Sequence, residues 1–270
     1  MFGGCSYFRN PKVSVLMLTY QRADMLPQAI DSILSQTYTD FEFVIMNDGS
    51  TDNTDEVVNK YKDRRIRYYK NPENKGISYS RNRAMSLARG EYIMIMDDDD
   101  YSFPTRMEKQ VEYLNSHPEI TGVATQIDGH DAIPLDRDEI AWELLYINVL
   151  NNASMMYRRE FAAQHRIKYD ETLHSSEDWN YWIDMLFLGA KFAAIPDKLY
   201  RTNRKNKKYY KTKFEESDIQ IRKNIGKHFF AHDENLFYKL TLCQRVQLIT
   251  QHDILSPEAE RQAIKAFCPQ

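Results

Sequence analysis

From Val13 onward the chain alternates two apolar patterns. Short, mainly apolar runs, Val13–Leu18, Phe41–Met46 and Glu91–Met96, have the length and composition of buried strands, and Arg65–Tyr69 reads as a further strand. Between them apolar residues recur at helical spacing. Leu26, Ile30, Ile33 and Leu34 share one face, with Pro27 suited to a first turn. Asp55–Lys62 and Ser78–Ala88 also read as helices, the second stopped by Gly90. The order β-α-β-α-β-α-β predicts a mostly parallel sheet with helices on both faces.

The second half is less regular. The pattern predicts a helix over Pro104–Leu114, a strand over Gly122–Ile127, a polar loop over 128–137 and a helix over Glu139–Val149. Asn152–Tyr157 reads as a strand, and Glu177–Leu188 as an amphipathic helix carrying Trp179 and Trp182. Two short strands follow, Lys191–Ile195 and Lys198–Thr202. From about Phe214 the spacing turns helical, with Leu236, Leu240, Cys243 and Val246 on one face. The economical division is an α/β domain over 10–205 and a helical extension over 206–270.

Polar residues collect where the strands end. Val13–Leu18 runs into Thr19-Tyr20-Gln21-Arg22, Phe41–Met46 into Asn47-Asp48-Gly49-Ser50, and Glu91–Met96 into Asp97-Asp98-Asp99-Asp100. In an open α/β sheet these ends frame the ligand crevice. Four carboxylates at one strand end repel each other and need a cation or solvent. A hard divalent ion held by one or two of them plus substrate phosphates meets that need; a solvated acidic loop is the plainer alternative. The dinucleotide glycine fingerprint and the Gly-Lys-Ser/Thr phosphate loop are both missing, so phosphates here would lack a backbone N–H cradle.

Composition narrows the class. With 270 residues, 28% charged and 42% hydrophobic, the chain has the balance of a globular protein of one or two domains. Its net charge of −3 argues against bulk binding to nucleic acid, and no such partner is expected. Cys5, Cys243 and Cys268 are odd in number and lie in no metal or redox spacing, which points to a reduced, cytoplasmic setting. No run reaches the roughly 18 apolar residues of a membrane span. Met1–Asn10 lacks the apolar core of a signal peptide. Peripheral contact with the inner face of a membrane stays open.

Taken together, Val13-Ser-Val, Thr19-Tyr20-Gln21-Arg22, Asn47-Asp48-Gly49-Ser50-Thr51-Asp52, Asn74-Lys75-Gly76 with Arg81-Asn82, Asp97–Asp100 and Glu177-Asp178-Trp179 resemble the family 2 glycosyltransferases in order and spacing. The resemblance runs from Val13 to about Arg201. It implies the GT-A fold, Rossmann-like with a mostly parallel sheet, here with a C-terminal helical extension. It also implies a metal-dependent, inverting transfer from a nucleotide-diphosphosugar to a hydroxyl of a glycan or lipid-linked acceptor in polysaccharide or glycoconjugate synthesis.

Carried over residue by residue, the resemblance implies that Thr19 and Tyr20 line the base pocket. Asp48 would accept a hydrogen bond from the base, favouring a UDP-sugar, and Arg81 would reach the base or diphosphate. Asp97 would contact the ribose and Asp99 the metal, Mn²⁺ or Mg²⁺, with Asp98 at the variable position and a one-residue ambiguity of frame. Glu177 would line the substrate site, and Asp178 would be the general base of a single inverting displacement. Trp179 and Trp182, at helical spacing, suit the core better than the acceptor site. Two positions depart from the family pattern. Gln21 stands where Asn is frequent, and Thr202-Asn203 follow Arg201 where many relatives place a metal- or phosphate-binding His.

Two other classes explain less. A sugar-phosphate nucleotidyltransferase would need a glycine- and basic-rich loop near the first strand. A non-catalytic cation-binding module leaves Asp48, Arg81 and Asp178 without a role. Tyr200–Lys213 carries seven cations and no acid, which reads as a solvated run or as a loop meeting the donor diphosphate or an anionic lipid-linked acceptor. The C-terminal helices suit packing against the domain or in a homodimer better than insertion in lipid.

Overall fold

The computed structural model describes residues 10–203, 220–225, 229, 240–252 and 254–268. Strand β1 (Val13–Thr19) pairs in parallel with β2 (Phe41–Asn47) and β4 (Tyr92–Asp97), and β2 with β3 (Ile66–Lys70). Helices α1 (Leu26–Leu34), α2 (Thr54–Asn59) and α3 (Ile77–Leu87) make the crossovers. Beyond β4 the sheet continues through β7 (Met156–Arg158), antiparallel, then β6 (Gly122–Ile127), β8 (Phe192–Arg201) and the edge strand β5 (Tyr101–Ser102). The whole is one mixed, mostly parallel sheet in the order β3-β2-β1-β4-β7-β6-β8-β5.

The apolar runs are continuous because both faces of the sheet are covered. Alternate residues serve two cores. Val15, Met17, Phe43, Ile45, Met94 and Met96 face α1, α2 and α4 (Arg106–Ser116). Leu16, Val44, Met46, Ile93 and Ile95 join the other core, with α3, α5 (Arg137–Leu144) and α7 (Glu177–Phe187). Trp179 and Trp182 are buried in this second core, as the helical spacing suggested. Ile221, Ile225, Ile249 and Leu255 from the C-terminal region belong to it too.

The structure redraws several boundaries. Asn152–Tyr157 is not one strand: the Asn151 side chain accepts from Ala153 N at 3.1 Å, closing a 3₁₀ turn over Asn152–Ser154 ahead of β7. The two strands expected around 191–202 are a single β8, irregular where its register against β6 shifts between Thr125 and Ile127. Helix α5 starts earlier, because Asp136 accepts from Asp138 N and Glu139 N, and it ends sooner, at Leu144. The two-residue β5 and the short α6 (Arg159–Gln164) carry no periodic signal and were not foreseen.

After the described gap, α8 (Leu242–Thr250) opens on a Thr241–Gln244 capping box and α9 (Pro257–Phe267) on Ser256. Cys268 is disulfide-bonded, which corrects the expectation of three reduced thiols; wide spacing in sequence did not preclude a pair. Most of the basic run, 204–213, lies outside the described residues. Among the described residues no helix is long and apolar enough to cross a membrane.

Candidate active site

The parallel register sets the ends of three strands side by side. Leu18 pairs with Asp97 and Thr19 with Asn47, so the polar continuations of β1, β2 and β4 emerge together. The chain after β1 turns sharply. Gln21 adopts a left-handed conformation, φ 55°, rare for a residue with a Cβ. Its amide carbonyl accepts from Asp52 N at 3.1 Å and its backbone N–H donates to Ser50 Oγ at 3.0 Å, holding the bend against the turn after β2. Tyr20 stays 43% exposed at the crevice, free to offer a ring face. Arg22 reaches across to the aspartate run, 2.8 Å from Asp98 Oδ1 and 3.3 Å from Asp99 Oδ2.

Asp48 organises the turn after β2. Its buried carboxylate accepts from Asn71 Nδ2 at 2.7 Å, from Lys75 N at 2.9 Å and from Gly76 N at 2.9 Å. The loop 71–76 is thereby clamped ahead of α3. Gly49 allows the approach: its φ is +77°, and a Cβ there would sit 2.3 Å from the carbonyl carbon of Glu73. Just before α2, Asp52 accepts from Thr54 N at 3.1 Å, while the N-cap residue Asn53 makes no side-chain capping bond.

The aspartates form a tight turn between β4 and β5. Burial pushes the Asp98 carboxyl up to about 6 against the pull of Arg22, and pushes Asp100 up to about 7 with help from Asp97. Burial likewise raises Asp97, with Arg81 opposing and Asp99 adding to the rise. Asp100 is tied to the end of β8, accepting from Tyr200 Oη at 2.7 Å and from Asn203 N at 2.7 Å. Asp98 Oδ2 and Thr19 Oγ1, both buried, lack a hydrogen bond of normal geometry.

Helix α7 delivers the other acidic pair. It starts from Ser176 in a left-handed conformation, φ 54°, so two of the three non-glycine residues with positive φ among the described residues flank the crevice. Glu177, 7% exposed, pairs with Arg81 Nη1 from α3. Burial works against the Arg81 charge, but Glu177 overrides it and raises the pKa, with Asp97 and Asp178 contributing. Arg81 also stacks over the Tyr169 ring, 5.1 Å from its centroid. Burial pushes Asp178 up to about 6, Glu177 adds to the rise, and Arg81, Trp179 N and the Asn148 side chain oppose it. Raised carboxyl groups in a crevice are what general acid–base chemistry requires.

The predicted residues therefore fall into one neighbourhood. Arg81 lies within electrostatic reach of Asp97, Glu177 and Asp178, Arg22 of Asp98 and Asp99, and Thr19 and Asp48 sit at the adjoining strand ends. Arg22, Asn148, Arg106 and Tyr200 were not singled out from the sequence as parts of the site. Arg106 did leave a signal: it shares a helical face with Gln110 and Leu114, a charge on a stripe that must be buried.

The comparisons with known proteins agree with this architecture. The family model for glycosyl transferase family 2 matches residues 14–174. An uncharacterized glycosyltransferase of Methanocaldococcus jannaschii is 30% identical over 234 residues, 82% of this chain and 80% of that one. The Escherichia coli UDP-Glc:alpha-D-GlcNAc-diphosphoundecaprenol beta-1,3-glucosyltransferase WfaP is 38% identical over 104 residues, 38% of this chain and 41% of that one. Among solved structures, S. aureus TarS bound to UDP-GlcNAc superposes with a TM-score of 0.68 at 19% identity, covering 93% of this chain and 83% of that one. The mannosyltransferase PcManGT of Pyrobaculum calidifontis, with GDP-Man and Mn²⁺, gives 0.61 at 17%, covering 97% and 77%. At such identities the structures speak for the fold, and the fold is GT-A. With the crevice, the family match and the M. jannaschii relative in agreement, this chain belongs to the family 2 glycosyltransferases.

Proposed function

We propose that the chain transfers a sugar from a UDP-sugar to a hydroxyl of a glycan or lipid-linked acceptor, with inversion, in polysaccharide or glycoconjugate synthesis. The observation that carries this is the buried Arg81–Glu177 pair, whose guanidinium acts both on Asp97 of the aspartate run and on Asp178, a carboxyl raised by burial. Donor anchor and proton acceptor then share one crevice. The UDP-sugars named for TarS and WfaP support the choice of uridine.

In this scheme residues 10–205 are the catalytic domain and 206–270 a helical extension. The exposed Tyr20 ring packs on the uracil beside Thr19. Asp48 Oδ2 accepts from Gly76 N, and a carboxylate oxygen with one donor keeps a lone pair for the base. Asp97 meets the ribose, Asp98 stays with Arg22, and Arg81 lies between the diphosphate and Glu177. The aspartate run fits a hard divalent cation: it offers oxygen donors, and burial and neighbouring aspartates disfavour the ionised forms of Asp97, Asp98 and Asp100, a cost that a cation would remove. Asp99, with Asp97 beside it, would hold Mn²⁺ or Mg²⁺, and that ion supplies Lewis-acid stabilisation of the leaving nucleoside diphosphate. Asp178 takes the proton of the acceptor hydroxyl as it attacks the anomeric carbon from the face opposite the diphosphate. One base suffices, since no covalent sugar–enzyme intermediate forms.

Calorimetric titration with UDP, GDP and CDP, each with and without Mn²⁺, tests the assignment. UDP is expected to bind only with the metal present and more tightly than the other two. Absence of any metal-dependent nucleoside-diphosphate binding would sink it.

A further inference from the structure

Asp100 is buried, 5% exposed, yet it stands next to the residue assigned to the metal. Each of its oxygens is held by the end of β8 or the residues after it, Oδ2 accepting from Tyr200 Oη at 2.7 Å and Oδ1 from Asn203 N at 2.7 Å. Tyr200 is fully buried, and its hydroxyl also accepts from Asp97 N at 3.4 Å. One phenol thus holds the first and last residues of the aspartate turn. The ring rests on the Arg106 guanidinium, 4.9 Å from its centroid. Arg106 is itself fully buried. It donates to Ile95 O at 3.1 Å, to Gln110 Oε1 at 3.1 Å and more weakly to Met155 O at 3.4 Å, while its Nη1 has no partner.

A buried guanidinium without a carboxylate partner is costly unless nearby charge offsets it. The negative charges in its field are those of Asp97 and Asp100, with Tyr200 between. Pairing of Ser102 with Tyr200 and Tyr101 with Arg201 then fastens the chain after the turn to β8.

We propose that Asp100 is a positioning residue rather than a donor or metal ligand: Tyr200, seated on Arg106, grips its carboxylate and so fixes the turn that presents Asp97 and Asp99. This rests on the donor site assigned above. The turn is held from below, by a cation that never meets the substrate.

The test compares wild type, Tyr200→Phe, Asp100→Asn and the double variant in the full chain. Tyr200→Phe keeps the ring on Arg106 and removes one hydroxyl. Amide hydrogen exchange over 97–103 should quicken about tenfold, since hydrogen bonds to charged groups are worth that or more. The KM for the UDP-sugar should rise about tenfold while kcat falls less, because the loss is in presenting the donor. The double variant should be no worse than the poorer single one, as for two residues acting through one contact. Unchanged exchange in Tyr200→Phe overturns the proposal. So does a wild-type KM in Tyr200→Phe beside a raised one in Asp100→Asn, which would make Asp100 a direct ligand. If wild type itself fails to bind UDP with Mn²⁺, the donor-site assignment falls, and the exchange experiment still decides whether Tyr200 holds the turn.

Discussion

Arg81 of α3 and Glu177 of α7 are 96 residues apart in sequence and form a buried ion pair at the floor of the crevice. Neither is more than 10% exposed at its side chain. Removing one partner leaves an uncompensated buried charge, which costs on the order of 3–5 kcal/mol. Arg81→Ala should therefore lower the denaturant midpoint strongly, whereas Arg81→Met combined with Glu177→Gln should recover much of the loss. If Arg81→Ala unfolds like wild type, the pair contributes little to stability.

Asp178→Asn keeps the shape and removes the base. Binding of UDP with Mn²⁺ should survive, and transfer should fall about 10²–10⁴-fold, the range for losing a positioned base. Transfer at the wild-type rate would show that another group accepts the proton.

The raised Asp178 carboxyl sets the pH dependence. Burial and Glu177 place it at about 6, so below that value the base is protonated and inactive. The kcat/KM profile should climb about tenfold per pH unit on its acid side and level off near 6. For folding the sign is opposite. The native state holds this proton more tightly than the unfolded chain, so the contribution of Asp178 to stability declines as pH rises from about 4 towards 6. A flat profile from pH 5 to 8 would remove Asp178 from the rate-determining chemistry.

Asp99→Ala should lose both metal-dependent UDP binding and transfer, unlike Asp178→Asn. Titration of the variant with UDP at fixed Mn²⁺ distinguishes the two. Retained tight binding would move the metal contact to another aspartate of the run.

Gly49→Ala tests the clamp at the base end of the crevice. The left-handed φ and the 2.3 Å approach to Glu73 leave no room for a methyl group. A cost on the order of 2 kcal/mol or more follows, with weaker UDP binding as the 71–76 loop is displaced from Asp48. Thermal melting and calorimetry read the two effects separately.

Much of this protein was legible in the linear pattern. The runs that become β1, β2 and β4 are buried strands because local apolar continuity and crossover helices leave few other arrangements, whereas β3, with two arginines beside it, takes the half-buried sheet edge. The strand ends then had to carry the polar chemistry at 19–22, 47–52 and 97–100. The core placement of Trp179 and Trp182 followed from periodicity alone. Where the sequence fell short, the determinants were small or distant. β5 has two residues, Pro196 hid the continuity of β8, and the α6 turn is too short to show a period.

The aspartate run itself shows the division most clearly. Charge repulsion among four adjacent carboxylates is a local property, so the need for a counter-charge could be read from residues 97–100 alone. Which aspartate does what is not local. Arg22 takes Asp98, Tyr200 and Asn203 take Asp100, and Arg81 faces Asp97. Those partners come from β8, α3 and the segments that follow β1 and β8, and only the packed sheet brings them within hydrogen-bond or Coulombic range.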